Sequence, residues 1–133
     1  MPEEKTQICD EVKSQFRNMV KYADKYPGSR QLITLPAYPQ VEQLRTWAVA
    51  EGYKLPIVKH QEDNSNCSKI VYANNSVVEV GLLEDETDCR YYGCIDYDTI
   101  RISESQRYSE YVHKFMTTRL RGAESRPRRL DLF

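Results

Sequence analysis

The sequence predicts one α+β domain over residues 1–122, with an antiparallel or mixed sheet of four to six strands and three helices, then a flexible basic tail over 123–133. Three observations lead to this reading. Residues 30–59 read as a strand, helix, strand unit of about thirty residues, the usual size. Two apolar runs face each other across Asn74-Asn75. Apolar stripes at helical spacing lie near both ends of the chain, and each needs a sheet face or another helix to cover it.

Taken in order, residues 3–26 predict a helix, because Ile8, Val12, Phe16, Met19 or Val20, and Ala23 recur at three and four and so share one face. Pro27-Gly28 ends it. Leu32, Ile33 and Leu35 form a strand, and Pro36 and Pro39 bracket an extended turn. A helix follows from about Pro39, with Val41, Leu44, Trp47 and Ala48 on its inner face and Gly52 as its stop. Leu55, Ile57 and Val58 make the second strand, and residues 60–67 read as a polar loop. Ser68–Ala73 and Ser76–Leu83 form a hairpin, since Asn74 and Asn75 tolerate positive φ. After the acidic loop Glu84–Asp88, Cys89–Ile95 and Tyr97–Ile102 supply one or two more strands, with a bulge or bend at Gly93. Ser103-x-x-Gln106 is a capping-box pattern that opens a last helix. Its stripe is Tyr108, Tyr111, Val112, Phe115 and Leu120, and Gly122 stops it.

Composition narrows the class. With 133 residues, 40% hydrophobic and 29% charged, the chain fits one globular domain with a core that needs no staples. No apolar run reaches membrane-spanning length and no leader-like segment opens the chain. Cytoplasmic or nuclear residence without a membrane partner is therefore expected. Cys9, Cys67, Cys89 and Cys94 are expected to be reduced thiols. The net charge of −1 hides a polarity: residues 61–98 hold nine acids against two bases, and residues 99–133 hold eight bases against four acids. Such separation bears on partners and association rates.

Catalytic constellations are scarce. The histidines are His60 and His113. A nucleophile pair of His60 with Cys67, Cys89 or Cys94 lacks a nucleophile-elbow or oxyanion-hole signature. Zinc ligation by Cys89-x4-Cys94 with His60 and Cys67 has the wrong spacing. The acids Glu84 to Asp88 lack a calcium-loop pattern, and the five glycines are scattered outside any phosphate-binding motif. The expectation is a non-enzymatic protein with no metal and no cofactor. Tyr91, Tyr92, Tyr97, Tyr108 and Tyr111 crowd together, either as sheet packing or as a binding face.

Binding residues are more evident. Lys13, Arg17, Lys21 and Lys25 fall largely off the first apolar stripe. Together with Arg119, Arg121, Arg126, Arg128 and Arg129 they suit a phosphate backbone. The helix, ITLP, helix, Gly order over residues 10–73 resembles the small single-stranded nucleic-acid-binding domain named for its Arg-x-x-x-His motif. The motif positions carry Val41 and Arg45 instead. The last six residues, RRLDLF, resemble the cyclin-docking motif, an Arg-x-Leu followed by a bulky apolar residue. That resemblance implies Arg128 on an acidic rim, with Leu130 and Leu132 or Phe133 in an apolar groove. Leu130, Asp131, Leu132 and Phe133 also resemble the bacterial sliding-clamp peptide, with Arg129 in place of its Gln. The leading expectation is an adaptor that docks a cell-cycle or replication partner through Arg128, Arg129, Leu130, Leu132 and Phe133. The alternative is a small nucleic-acid-binding module using helix one and the Arg-rich tail.

Overall fold

The structure is a computed structural model, and it describes residues 8–52, 58–63, 67–122 and 126–133, with the backbone alone for 58–63, 67 and 68. The protein is a single α+β domain. Its helices are α1 (Asp10–Lys25), α2 (Tyr38–Ala50) and α3 (Glu110–Thr118), and its strands are β1 (Arg30–Leu35), β2 (Val58–Asp63), β3 (Cys67–Tyr72), β4 (Val77–Leu82), β5 (Thr99–Ile102) and β6 (Arg129–Leu132). The six strands form one mixed sheet in the order β2-β3-β4-β1-β5-β6. The stretch β4, β1, β5, β6 is parallel throughout, while β2 and β3 add antiparallel at the β4 side.

Each face of the sheet has its own core. α1 and α2 cover Ile33, Leu35, Val78, Val80 and Leu82 with Phe16, Met19, Leu44 and neighbours. On the other face, α3 and a 3-10 segment over Glu86–Tyr92 cover Leu32, Ile100 and Ile102 with Val112, Met116 and Tyr92. The period-two alternation of strand side chains produces this division. Each fully buried Leu or Ile contributes about 1.5–3 kcal/mol.

α1 forms where the stripe predicts it, with Val12, Phe16, Met19, Val20 and Ala23 all buried. Asp10 and Glu11 in its first turn and Lys25 in its last complement the helix dipole. The Asn74-Asn75 hairpin also forms, with Asn75 at φ 69. It is tied to the end of α1: Asn74 Nδ2 donates to the Ala23 carbonyl (3.0 Å), and the Gly28 amide donates to the Asn74 carbonyl (3.1 Å).

Four local expectations are corrected. Residues 60–63, read as a polar loop, continue β2, because antiparallel pairing with Ser68–Val71 satisfies their backbone. The rest of that loop, residues 64–66, and the apolar pair Leu55 and Ile57 lie outside the described residues. Cys89–Ile95 is not a strand. The Asp85 carboxylate caps the Thr87 amide (2.9 Å) and Asp88 accepts from the Glu84 amide (2.8 Å), winding Glu86–Tyr92 into a 3-10 helix. Its spacing of three brings Cys89 and Tyr92 together into the core. Tyr92 donates to the Leu82 carbonyl at 2.8 Å, over Gly81, where a Cβ would strike the phenol.

The capping box at Ser103 does not form. The Ser103 amide is taken by the Thr34 carbonyl (3.2 Å), so the residue prolongs the sheet connection. Glu104 turns the chain in a left-handed conformation, and α3 begins at Glu110 behind Ser109. Finally, the tail expected to run free of the domain does not do so over 126–133. Residues Arg129–Leu132 pair in parallel with Thr99–Ile102 as the edge strand β6. Leu130 joins the α3-side core and Phe133 the α1-side core.

Candidate functional site

β6 creates the site. α1 packs on β1 and β4 at the middle of the sheet, and β5 and β6 lie to one side of them. A groove of about 380 Å³ opens between them, lined by Asn18, Lys21, Tyr22, Lys25 and Tyr26 from α1 and its end, and by Arg101, Pro127 and Arg129 from the sheet edge. Two basic segments far apart in the sequence meet here.

Arg101 is the inner cation. It is 2% exposed, a costly place for a charge without partners. Its Nη1 donates to Gln15 Oε1 (2.8 Å) and to Asp131 Oδ2 (3.2 Å), while its Nε has no hydrogen-bond partner among the described residues. Burial pushes the Arg101 pKa down and the Asp131 carboxylate opposes it. Asp131 also holds Arg129 Nε at 2.7 Å. Lys21 and Lys25 are exposed and, among the described residues, make no ion pair. Among the described residues, four cations thus line the groove against one contacting carboxylate.

Two tyrosines form the aromatic part of the groove. Their rings lie 4.6 Å apart at 46°, with Lys25 Nζ 5.4 Å from the Tyr26 centroid. Tyr22 donates its hydroxyl to the Pro127 carbonyl at 2.7 Å, which clamps the start of β6 to α1. Burial, and secondarily the Asp98 charge, push the Tyr22 phenol up to about 12.

The other basic residues read from the sequence are spread elsewhere. Lys13 and Arg17 turn to the Trp47 ring, 5.7 and 5.2 Å from its centroid. Lys13 also borders a larger pocket with Glu42 and Pro39, where it is the one cation among the described lining residues and Glu42 offsets it. Arg119 donates to the Gly93 carbonyl (2.6 Å). Arg126 pairs with buried Asp98 (3.3 Å) and bonds the Pro27 carbonyl (3.2 Å). Arg128 is exposed and bonds the Gly122 carbonyl (2.9 Å), and Arg121 is exposed. Of the basic residues read from the sequence, the groove therefore gathers Lys21, Lys25 and Arg129, joined by Arg101. Sequence reasoning missed Arg101 because it sits in an alternating strand and reads as a solvent-facing residue.

The docking residues are also divided. Leu130 and Phe133 face opposite sides of the sheet as part of its packing, whereas Leu132 is 46% exposed. Asp131, which would point away from a partner groove in either docking motif, faces inward as the counterion of Arg101. The tyrosine cluster splits too: Tyr92, Tyr97 and Tyr108 are buried, and Tyr91 and Tyr111 are exposed. Among the described residues no three His, Cys, Asp or Glu side chains gather as a metal site. His113 Nε2 lies 3.1 Å from the Ser105 carbonyl, and the side chains of His60 and Cys67 fall outside the described set. No helix among the described residues is long and apolar enough to cross a membrane.

No family model and no curated protein matches the chain. Solved structures do. The chain is similar to the large terminase from a thermophilic bacteriophage, with TM-score 0.61 in one crystal form and 0.60 in another determined in complex with ADP. Identity is 13% in both, over 88% of this chain and 29% of the terminase chain. The likeness is one of fold, and the chain spans less than a third of the terminase's length.

Proposed function

We propose that this protein binds nucleic acid through the groove between α1 and β6, as a binding module without catalysis of its own. The observation that carries the reading is the meeting of Lys21 and Lys25 with Arg101 and Arg129 in one recess beside two tyrosines. Cations aligned along a recess neutralise successive phosphates and release their counterions. Tyrosine rings add a surface on which bases can lie.

The test is fluorescence anisotropy of labelled oligonucleotides at low salt, with wild type against the Lys21→Gln, Lys25→Gln double variant. Binding that weakens in the variant supports the proposal. Equal binding by both proteins contradicts it. ADP is a necessary control, because one of the terminase crystal forms contains it. Tight ADP binding without oligonucleotide binding would replace nucleic acid with a free nucleotide.

A second reading, docking of a cyclin-like or clamp-like protein partner by Arg128–Phe133, is favoured by the exposure of Leu132 on the sheet-edge strand. An extended partner segment could add alongside β6. Pull-down of a partner that Leu132→Ala abolishes, with the fold intact, would support it.

A further inference from the structure

We infer that the groove takes a single strand of nucleic acid, with one base stacked on the ring of Tyr26; this rests on the proposal that the groove binds nucleic acid. Size and shape come first. At about 380 Å³ the recess lies near the small end of ligand-binding pockets, roughly 300–1,000 Å³. That space suits one nucleotide unit at a time. Proteins that read duplex DNA instead push a helix or ribbon out into a groove about 12 Å wide. Here the cations sit in a recess between a helix flank and a sheet edge.

The backbone beneath the aromatic floor is tied down on both sides of Tyr26. The Tyr26 amide donates to the Tyr22 carbonyl (2.9 Å), and its own carbonyl accepts from the Ser29 amide (3.2 Å) and from Ser76 Oγ (3.1 Å). Tyr22 supports it from beside, held in turn by Pro127. A platform already ordered before binding loses little entropy on binding. Lys25 lies over the Tyr26 ring on a flexible exposed stem. By swinging outward it can meet a phosphate while a base takes its place on the ring. Base and backbone are then held by neighbouring residues, a combination typical of sequence-tolerant single-strand binders.

The experiment uses the full chain with three labelled probes: a thymidine oligonucleotide of about twelve residues, within the usual span of single-strand sites, the same length as duplex, and an abasic deoxyribose-phosphate oligomer. Tyr26→Phe keeps an aromatic face and Tyr26→Leu removes it. Single-strand binding is expected to exceed duplex binding. Tyr26→Leu should lose about tenfold on the single strand, Tyr26→Phe should retain it, and neither should change abasic binding. Duplex binding equal to single-strand binding overturns the inference, as does indifference to Tyr26→Leu. If Lys21→Gln with Lys25→Gln still weakens binding in those cases, the groove proposal stands and the single-strand inference alone fails. If no probe binds, or the lysine variant has no effect, the groove proposal itself fails.

Discussion

Tyr22 donates its phenolic hydrogen to the carbonyl of Pro127, 2.7 Å away and 105 residues further along the chain. This bond joins the first helix to the entry of the last strand, at the mouth of the basic groove. Removing it with Tyr22→Phe should cost about 0.5–1.5 kcal/mol, the net worth of an ordinary hydrogen bond. The ring remains beside Tyr26, so the loss isolates the tie. Chemical denaturation of the two proteins measures it, and an unchanged midpoint would show that β6 holds its place without Tyr22.

Asp131→Ala should be more damaging. It removes the carboxylate from Arg101, whose side chain is 2% exposed, while Asp131 itself is 19% exposed. Breaking a fully buried ion pair costs about 3–5 kcal/mol. Gln15 stays on the guanidinium, so a loss of roughly 2–3 kcal/mol is expected on the scale for buried pairs. Asp131→Asn, which keeps an acceptor, should lose less. A surface-like result near zero for Asp131→Ala would mean that β6 does not seat against β5 as described.

Gly122→Ala tests the same edge from the other side. A Cβ at Gly122 would collide with the Asp98 side chain. Asp98 is 2% exposed and accepts from the Arg30 amide (2.8 Å) while pairing with Arg126. Overpacking of this kind costs about 1–3 kcal/mol. Thermal melts should show Gly122→Ala clearly below wild type, and an equal melting temperature would contradict the packing.

Alkaline pH should unfold the protein early. Burial raises the Tyr72 phenol to about 12, burial with Asp98 does the same for Tyr22, and burial raises Tyr97 and Tyr108 further. In the unfolded chain these phenols ionise near 10. Their contribution is thus fully present below about pH 10 and is lost as pH climbs toward their folded values. The melting temperature should fall over that range, and part of the phenolate absorbance should appear only with unfolding. Titration of every tyrosine near 10 in the folded protein would contradict this.

Much of the fold was legible because local signals agreed with tertiary need. The stripe of Val12, Phe16, Met19 and Ala23 gives α1, and Asn74-Asn75 gives the hairpin. Legibility ended where side chains override pattern. Asp85 and Asp88 cap a 3-10 helix inside a run of Cys and Tyr that reads as a strand. The greatest difference lies at the end of the chain. RRLDLF reads as a tail because it is short, charged and follows Gly122, and nothing local states that Arg101 needs Asp131 or that β5 has an open side. The candidate groove was legible in its parts, Lys21 in helix one and Arg129 in the tail, but their adjacency depends on that long-range pairing.

The central claim is that the α1/β6 groove binds a phosphate backbone, and the salt dependence of oligonucleotide binding tests it most directly. With three contacts from Lys21, Lys25 and Arg129, the slope of log K against log salt on a single strand should be about −2. Lys21→Gln should make it shallower by about 0.7. Binding with no salt dependence, or a slope that Lys21→Gln leaves unchanged, would contradict the account.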